Sequence, residues 1–253
     1  FVSLEPKRGV TGEKFSDQSY TLELSKGWIF PLSEHTRAVV ALSGGAEKFH
    51  SYEGLSRAYA GAFGELQYRT SGSFSAPTFA LFARATGEQF ESYLRDGYRY
   101  TFGASVRKPV TDRITLFGAV AHNERSGDSA VFTGRDNSAR FNIDYAATST
   151  STLYLTTEYR KGDAVSSGLP SLQSLDIAKV FARDDAFNDQ LFAYRIDAST
   201  VIATLGYNLP FGPRDALDFS WRHVETTSDD SSIVYGKSRY RTDQLSISYL
   251  LRF

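Results

Sequence analysis

Residues 244–253, with the sequence QLSISYLLRF, alternate apolar and polar side chains with a period of two. The apolar positions are Leu245, Ile247, Tyr249, Leu251 and Phe253. Between them the side chains are polar except at residue 250. Because successive side chains of a β-strand point to opposite faces, this stretch is predicted to be a strand with one apolar and one polar face.

The same alternation recurs through most of the chain, for instance at 98–107 and 140–147. Counted back from the C-terminus, it predicts strands at 239–253, 215–227, 193–209, 152–162, 138–148, 114–124, 98–108, 78–92, 57–70, 36–50 and 17–30. Within 114–122 both faces are apolar or small, so the pattern does not distinguish them. The chain is therefore predicted to be all-β.

The connectors toward the C-terminus alternate in length. Short, turn-like connectors lie at 108–113, 148–152 and 210–215, and long polar stretches lie at 123–139, 161–190 and 225–239. This is the plan of a transmembrane β-barrel, with short periplasmic turns and longer external loops. Because such barrels have an even number of strands, residues 1–9 are predicted to add another strand, although Pro6 weakens it. We predict that residues 1–253 form a single closed antiparallel transmembrane barrel of about 12 strands.

Composition excludes several classes of protein. The chain has 19 Phe, 15 Tyr and 20 Gly but no Cys, so neither disulfides nor thiolate metal sites are expected. A net charge of −1 gives no steering toward nucleic acid. No apolar run approaches the roughly 18 residues of a membrane helix. Because the chain opens at Phe1, we interpret it as a mature or trimmed product, or as the C-terminal part of a longer precursor.

Tyr249, Leu251 and the terminal Phe253 resemble the C-terminal strand signature of bacterial outer-membrane β-barrel proteins. The resemblance implies integral outer-membrane location, contact with outer-membrane lipid and lipopolysaccharide, and recognition by the barrel assembly machinery. Members with twelve strands include acidic oligosaccharide channels, nucleoside channels, a phospholipase and autotransporter translocator domains. A soluble antiparallel sandwich is the competing interpretation. It would need bulky aliphatic residues on the apolar face, where this chain has many Ala, Gly and Tyr.

The predicted polar faces collect charges of both signs, and the cations are arginine without lysine. The candidate pathway residues are Arg37, Arg69, Arg84, Arg99, Arg107, Arg140, Arg160, Arg222, Glu65, Glu88, Asp144, Glu158 and Asp218, with Arg252, Glu23 and Glu47 on the same faces. A guanidinium group keeps its charge and matches carboxylates and phosphates, so an arginine ladder suits an anionic solute. The alternative is that these arginines only neutralise the neighbouring carboxylates.

Signals for catalysis or metal binding are weak. His122 and Ser126 invite comparison with outer-membrane phospholipases, but their spacing of four does not match that motif, and no catalytic residue is predicted. His50 with Glu47 lacks a third ligand, so no metal site or cofactor is predicted. Asp184, Asp185 and Asp189 are interpreted as part of a solvated acidic loop in preference to a calcium site. That loop, 161–190, is apolar enough to fold over the mouth or into the lumen as a short helix or constriction.

The first hypothesis for function is a non-enzymatic outer-membrane channel for small hydrophilic solutes. Its arginines favour anionic solutes such as acidic saccharides, and its long loop would limit the pore. The second hypothesis is the membrane domain of an export or surface-assembly machine. A barrel enzyme acting on lipid is the third.

Overall fold

The computed structural model describes residues 3–4, 16–170, 172–187, 191–212, 214–230 and 239–251. Over these residues the chain forms one 13-stranded antiparallel sheet. The strands are β1 Ser3–Leu4, β2 Ser19–Pro31, β3 Thr36–Phe49, β4 Arg57–Arg69, β5 Thr78–Phe90, β6 Gly97–Pro109, β7 Ile114–Gly127, β8 Gly134–Ala146, β9 Thr152–Gly168, β10 Val180–Arg183, β11 Phe192–Pro210, β12 Asp215–Ser228 and β13 Arg239–Leu251. One α-helix is described, α1, at Leu172–Ile177. None of the described helices is long and apolar enough to cross a membrane.

Neighbours in sequence are neighbours in the sheet, with two exceptions. β10 pairs with β11 above the end of β12, and β1 pairs with β13, where Ser3 lies opposite Arg241. The sheet is curled. Its two edge strands, β1 and β2, do not pair with each other within the described residues. The strand predicted at residues 1–9 is described only at Ser3–Leu4, and the predicted strand end at Arg252 and Phe253 lies outside the described residues.

Cross-strand register divides the side chains into two faces. Residues opposite each other in an antiparallel pair share a face, and Glu65, Phe82, Gly103, Ala121, Ser138 and Arg160 form one such continuous row. We call this the inner face, and the opposite one the outer face. The register also assigns the strand that the sequence left open: Phe117, Ala119 and Ala121 lie on the inner face, with Val120 and His122 on the outer.

The outer face carries the apolar side chains, and they are exposed. Examples are Leu81 at 64%, Val120 at 60% and Ile247 at 74% exposure. The buried hydrophobic clusters instead lie at one end of the sheet, around Ile196 and Phe132. The sandwich interpretation requires a second layer packed over the apolar face. The described residues provide no such layer.

Three 3-10 turns line that end of the sheet, at Glu53–Leu55, Tyr93–Arg95 and Ala130–Phe132. We call them the rim turns. Each is closed by a side chain that accepts a hydrogen bond from the last residue of the strand before it. These contacts are Phe49 N to Ser56 Oγ (3.1 Å), Phe90 N to Asp96 Oδ1 (2.6 Å) and Gly127 N to Thr133 Oγ1 (3.1 Å). The repeated contact satisfies a backbone donor where strand pairing ends.

Neighbouring rim turns are also hydrogen-bonded to each other. The second turn donates to the first through Glu91 N to Ser56 O (2.9 Å) and Ser92 N to Gly54 O (3.2 Å), and the third to the second through Asp128 N to Asp96 O (2.8 Å) and Ser129 N to Leu94 O (3.2 Å). The row thus continues the sheet beyond the ends of its strands.

Residues 172–187, which we call the rim segment, lie along this row. Val180 and Ala182 pack against the third turn, and the Phe187 ring lies 5.0 Å from that of Tyr52 beside the first. Ile177 of α1 is buried against inner-face side chains that include Tyr194 and Tyr240. The predicted short helix therefore forms, and it packs on the side of the sheet that carries the arginines.

The predicted long connectors need correction. β7 continues to Gly127 and β8 begins at Gly134, so the predicted loop at 123–139 is mostly strand. β9 likewise continues to Gly168, well into the predicted loop at 161–190. Asn123 and Asp136 lie opposite each other on the inner face, and His122 and Asn137 lie opposite each other on the outer face. Because both faces are polar here, the sequence shows no alternation of apolar and polar residues. Of the last long connector, 225–239, residues 231–238 lie outside the described residues.

Candidate solute pathway on the inner face

The register places every candidate pathway residue of the described strands on the inner face. These are Arg37, Arg69, Arg84, Arg99, Arg107, Arg140, Arg160, Arg222, Glu65, Glu88, Asp144, Glu158 and Asp218. Arg252 lies outside the described residues. Glu23 and Glu47 share the face, with Tyr59 donating to Glu23 at 2.7 Å. Alternation alone therefore grouped these side chains, because side-chain direction follows strand parity.

A cavity of about 330 Å³ opens on the middle of this face. Side chains from β4 through β9 line it, among them Glu65, Arg84, Arg140, Glu158 and Arg160. Arg160 Nε donates to Glu158 Oε1 at 2.5 Å, so one of these cations is paired. The Arg84 guanidinium lies 5.3 Å from the centre of the Phe63 ring, a cation–π distance. The cavity is thus polar and charged with an aromatic wall.

Three mid-strand arginines have no carboxylate within salt-bridge distance among the described residues. Arg84, Arg140 and Arg222 are exposed on the inner face, and the ion pairs of the described chain do not include them. We call these the free arginines. Their planar donor groups are available to an anion in the space beside the sheet.

Three inner-face carboxylates of the same region have neutral donors. Asn142 donates to Asp144 at 2.7 Å and Tyr154 donates to Asp218 at 2.9 Å. The Gln67 amide donates to Glu65. These hydrogen bonds leave the acids negatively charged, but within the described chain none of the three acids forms a salt bridge with a free arginine.

Nearer the rim turns, the balance differs because arginines surround one acid. Glu88 has a side chain only 4% exposed and lies within 2.5 Å of Arg57, 3.2 Å of Arg99 and 3.7 Å of Arg125. The Arg57 Nε also donates to Glu47 at 3.1 Å. We call this the rim cluster. It is compact and charge-paired, which matches the neutralising alternative considered for the arginines.

Sequence reasoning missed Arg57 and Arg125 in this cluster. Arg57 is the first residue of β4, and Arg125 lies in the stretch taken for a loop. The available signal was parity: Arg125 continues the series of Phe117, Ala121 and Asn123 on one face once β7 is extended.

The rim segment is fixed to the second rim turn by a buried ion pair. Arg95 Nη2 lies 2.8 Å from Asp184 Oδ2, with side-chain exposures of 8% and 0%. The Ser167 hydroxyl donates to Asp184 at 2.5 Å, and the Ser92 hydroxyl donates to Asp185. Burial lowers the pKa of Arg95, an effect that the negative charges of Asp184 and Asp185 oppose.

This arrangement corrects the interpretation of a solvated acidic loop. Asp184 is fully buried and Asp185 is hydrogen-bonded, while Asp189 lies outside the described residues. Sequence could not show this, because the partner Arg95 is 89 positions away. Among the residues that the structure describes, no three His, Asp or Glu side chains are placed to hold a metal ion.

The histidines do not converge on a reactive group. His122 Nδ1 lies 2.9 Å from Asn137 Oδ1 on the outer face, and its ring is 5.1 Å from that of Phe102. His223 Nδ1 lies 2.9 Å from Asp243 Oδ1. Both arrangements are hydrogen-bonded polar contacts on the apolar side of the sheet, away from the inner-face charges.

Comparison with known proteins gives weak similarity only. No family model matches the chain, and no curated protein matches it. Among solved structures, the KdgM porin in complex with disordered oligogalacturonate is 12% identical, with a TM-score of 0.42 over 94% of this chain and 99% of that one. A second KdgM porin structure is 14% identical, with a TM-score of 0.39 and the same coverage. The siderophore receptor PiuA from Acinetobacter baumannii is 11% identical, with a TM-score of 0.29 over 98% of this chain and 45% of that one.

Proposed function

We propose that this chain is a non-enzymatic channel of the bacterial outer membrane for small anionic solutes such as acidic saccharides. The sheet would close at its β1 and β2 edges into a barrel of about 12 strands, because an unpaired edge is not tolerated in lipid. The whole described sheet then forms one domain, with the inner face turned to water.

Membrane location is supported by the outer face. Its exposed apolar side chains include Leu22, Leu24, Leu42, Leu66, Leu81, Phe102, Val120, Phe141, Leu155, Val201, Leu205, Leu245, Ile247 and Tyr249. Soluble monomers rarely leave continuous apolar surface of this extent in water. A lipid environment removes that difficulty, and Tyr249 with Trp221 fits the aromatic residues found at membrane interfaces.

Selectivity for anions is supported by the free arginines, the observation that carries the proposal. Arg84, Arg140 and Arg222 lie on the inner face without a salt-bridge partner among the described residues, while nearby Asp144 and Asp218 are held by neutral donors. In a narrow water-filled pore such fixed cations favour passage of anions. The rim segment would narrow the entrance.

The test is conductance of the refolded full chain in planar bilayers. We expect anion preference in the reversal potential under a salt gradient, and loss of that preference in the triple variant Arg84→Gln, Arg140→Gln, Arg222→Gln. The turn variant Arg113→Gln is the control and should leave the preference unchanged. A folded protein that does not conduct would refute the channel and favour an export or anchoring role.

Membrane integration is tested separately. We expect the folded protein to resist SDS at room temperature and to shift in gel mobility after boiling, because every strand edge of a closed barrel is paired. A monodisperse protein in buffer without detergent would refute the membrane location. Recognition of the C-terminal strand by the barrel assembly machinery is part of the same proposal, since Leu245, Ile247 and Tyr249 present an exposed apolar face there.

A further inference from the structure

A cavity of about 420 Å³ on the outer face is not explained by solute transport. It lies toward the rim turns, and its lining residues are His122, Arg135, Asn137, Lys161, Gly162, Asp163, Lys179 and Asp197. His122, Asn137 and Lys161 lie opposite one another across β7, β8 and β9, so they share one row of the outer face. We call this cavity the outer-wall pocket.

A step in the sheet forms the pocket. The last pair between β8 and β9 is Asp136 with Gly162, whereas β9 and β11 remain paired beyond that level. Gly162 has φ +145°, and a Cβ there would come within 2.4 Å of the Arg135 carbonyl oxygen. The Arg135 N–H donates to the Asp163 side chain at 3.1 Å. Glycine at 162 thus permits the close approach of β8 to β9 where their pairing ends, at the edge of the pocket.

Two cations of the pocket have no salt-bridge partner within the described chain. Lys179 Nζ lies 2.8 Å from Asp163 and 2.5 Å from Asp197, which satisfies both acids. These hydrogen bonds raise the pKa of Lys179 against the opposing effect of burial. Arg135 and Lys161 are exposed and form no salt bridge within the described chain, and the acid Glu124 lies opposite Arg135 across the strands. The pocket can therefore accept an anionic group.

Directly beside the pocket, away from the rim, the outer face is apolar. Val120, Ala139, Tyr159 and Val201 lie opposite one another, two positions from the row of Lys161. Val120 is 60% exposed, Tyr159 45% and Val201 50%. Two residues of a strand span about 7 Å. Two cations without a salt-bridge partner in the described chain thus lie about 7 Å from an uncovered apolar strip.

We propose that the outer-wall pocket binds the phosphate group of an anionic membrane lipid, with the lipid chains along Val120, Tyr159 and Val201. This inference rests on the proposed membrane location. Arg135 and Lys161 supply charge-assisted hydrogen bonds to phosphate oxygens. The apolar strip favours a lipid phosphate over a free phosphate ion, because a free ion would leave that strip unused.

The test uses bisphosphorylated lipid A as the probe, titrated into detergent-solubilised folded protein and counted by native mass spectrometry. We expect the wild type to bind it at least about tenfold more tightly than its dephosphorylated form, since charged hydrogen bonds are strong. The variant Arg135→Glu, Lys161→Glu should lose that difference. The control Lys108→Glu, Arg113→Glu reverses two cations at the opposite end of the sheet and should retain it.

Several outcomes would overturn the proposal. One is equal affinity of the wild type for both lipids, and another is equal loss in the control variant. Displacement of the lipid by inorganic phosphate at the lipid's own concentration would show a site for free phosphate. If the double variant does not fold, the milder Lys161→Gln should still weaken binding severalfold.

Failure of this proposal is distinguishable from failure of the channel. Arg135 and Lys161 do not line the inner face, so the pocket variant should conduct as the wild type does. Normal conductance without lipid preference refutes the pocket alone. Lipid preference without conductance refutes the channel alone.

Discussion

The arginines of the rim and those of the middle strands differ in what surrounds them. Arg57, Arg99 and Arg125 converge on the buried Glu88, whereas Arg84 and Arg140 have no salt-bridge partner in the described chain. A buried charge is stable only when it is paired, whereas an exposed guanidinium is solvated by water and remains available to bind a mobile anion. The same residue type therefore stabilises the rim and, in our proposal, selects solutes in the middle.

The rim ion pair provides the largest expected effect. Arg95→Ala leaves Asp184 buried without its counter-ion, and breaking a buried pair costs about 3–5 kcal/mol. We expect the rim segment to become cleavable by protease within 172–187 under conditions where the wild type is intact. Arg84→Ala is the matched control and should not expose the segment.

A double variant sharpens that result. Arg95→Ala with Asp184→Ala removes both charges, so the rim segment should be less cleavable than in Arg95→Ala alone. Equal cleavage in the single and double variants would show that the segment is released by loss of the Arg95–Asp184 contact and not by the uncompensated charge of Asp184.

The alternation of apolar and polar residues in the sequence predicted only part of this difference between the rim and mid-strand arginines. It found most strands to within four residues but ended β9 six residues early and did not predict β10. It put Arg84, Arg140 and Glu88 on one face, because parity alone determines the face of a side chain. It missed the pairing, since Arg95 and Asp184 meet only through the fold of the rim segment. The four consecutive polar residues at 122–125 show no apolar–polar alternation. The inner-face position of Arg125 therefore follows only from the register of β7 with β6 and β8.

The centre of the rim cluster gives the next effect. Glu88→Gln leaves Arg57, Arg99 and Arg125 close together without their shared anion, and losing a charged hydrogen-bond partner costs about 1–3 kcal/mol. We expect lower resistance of the folded protein to heating in SDS, together with stronger anion preference in bilayers.

Asp144→Asn is the control for Glu88→Gln, because Asp144 is held by the neutral Asn142. It should change thermal resistance less. If both variants behave alike, the rim cluster is not more strongly coupled than the middle of the inner face.

The smallest effect separates the charge of the free arginines from their shape. Arg84→Lys with Arg140→Lys keeps both positive charges but replaces a planar fork of donors with a point charge. Stability should change by less than about 0.5 kcal/mol, as for exposed substitutions away from paired groups. Anion preference for chloride should also remain, since it depends on charge. Block of that current by an acidic disaccharide should weaken severalfold, because carboxylates bind guanidinium groups through two parallel hydrogen bonds. Unchanged block by the disaccharide would mean that charge alone governs the pathway. Loss of the chloride preference would mean that these arginines act through their packing on the sheet, as Arg84 packs against Phe63.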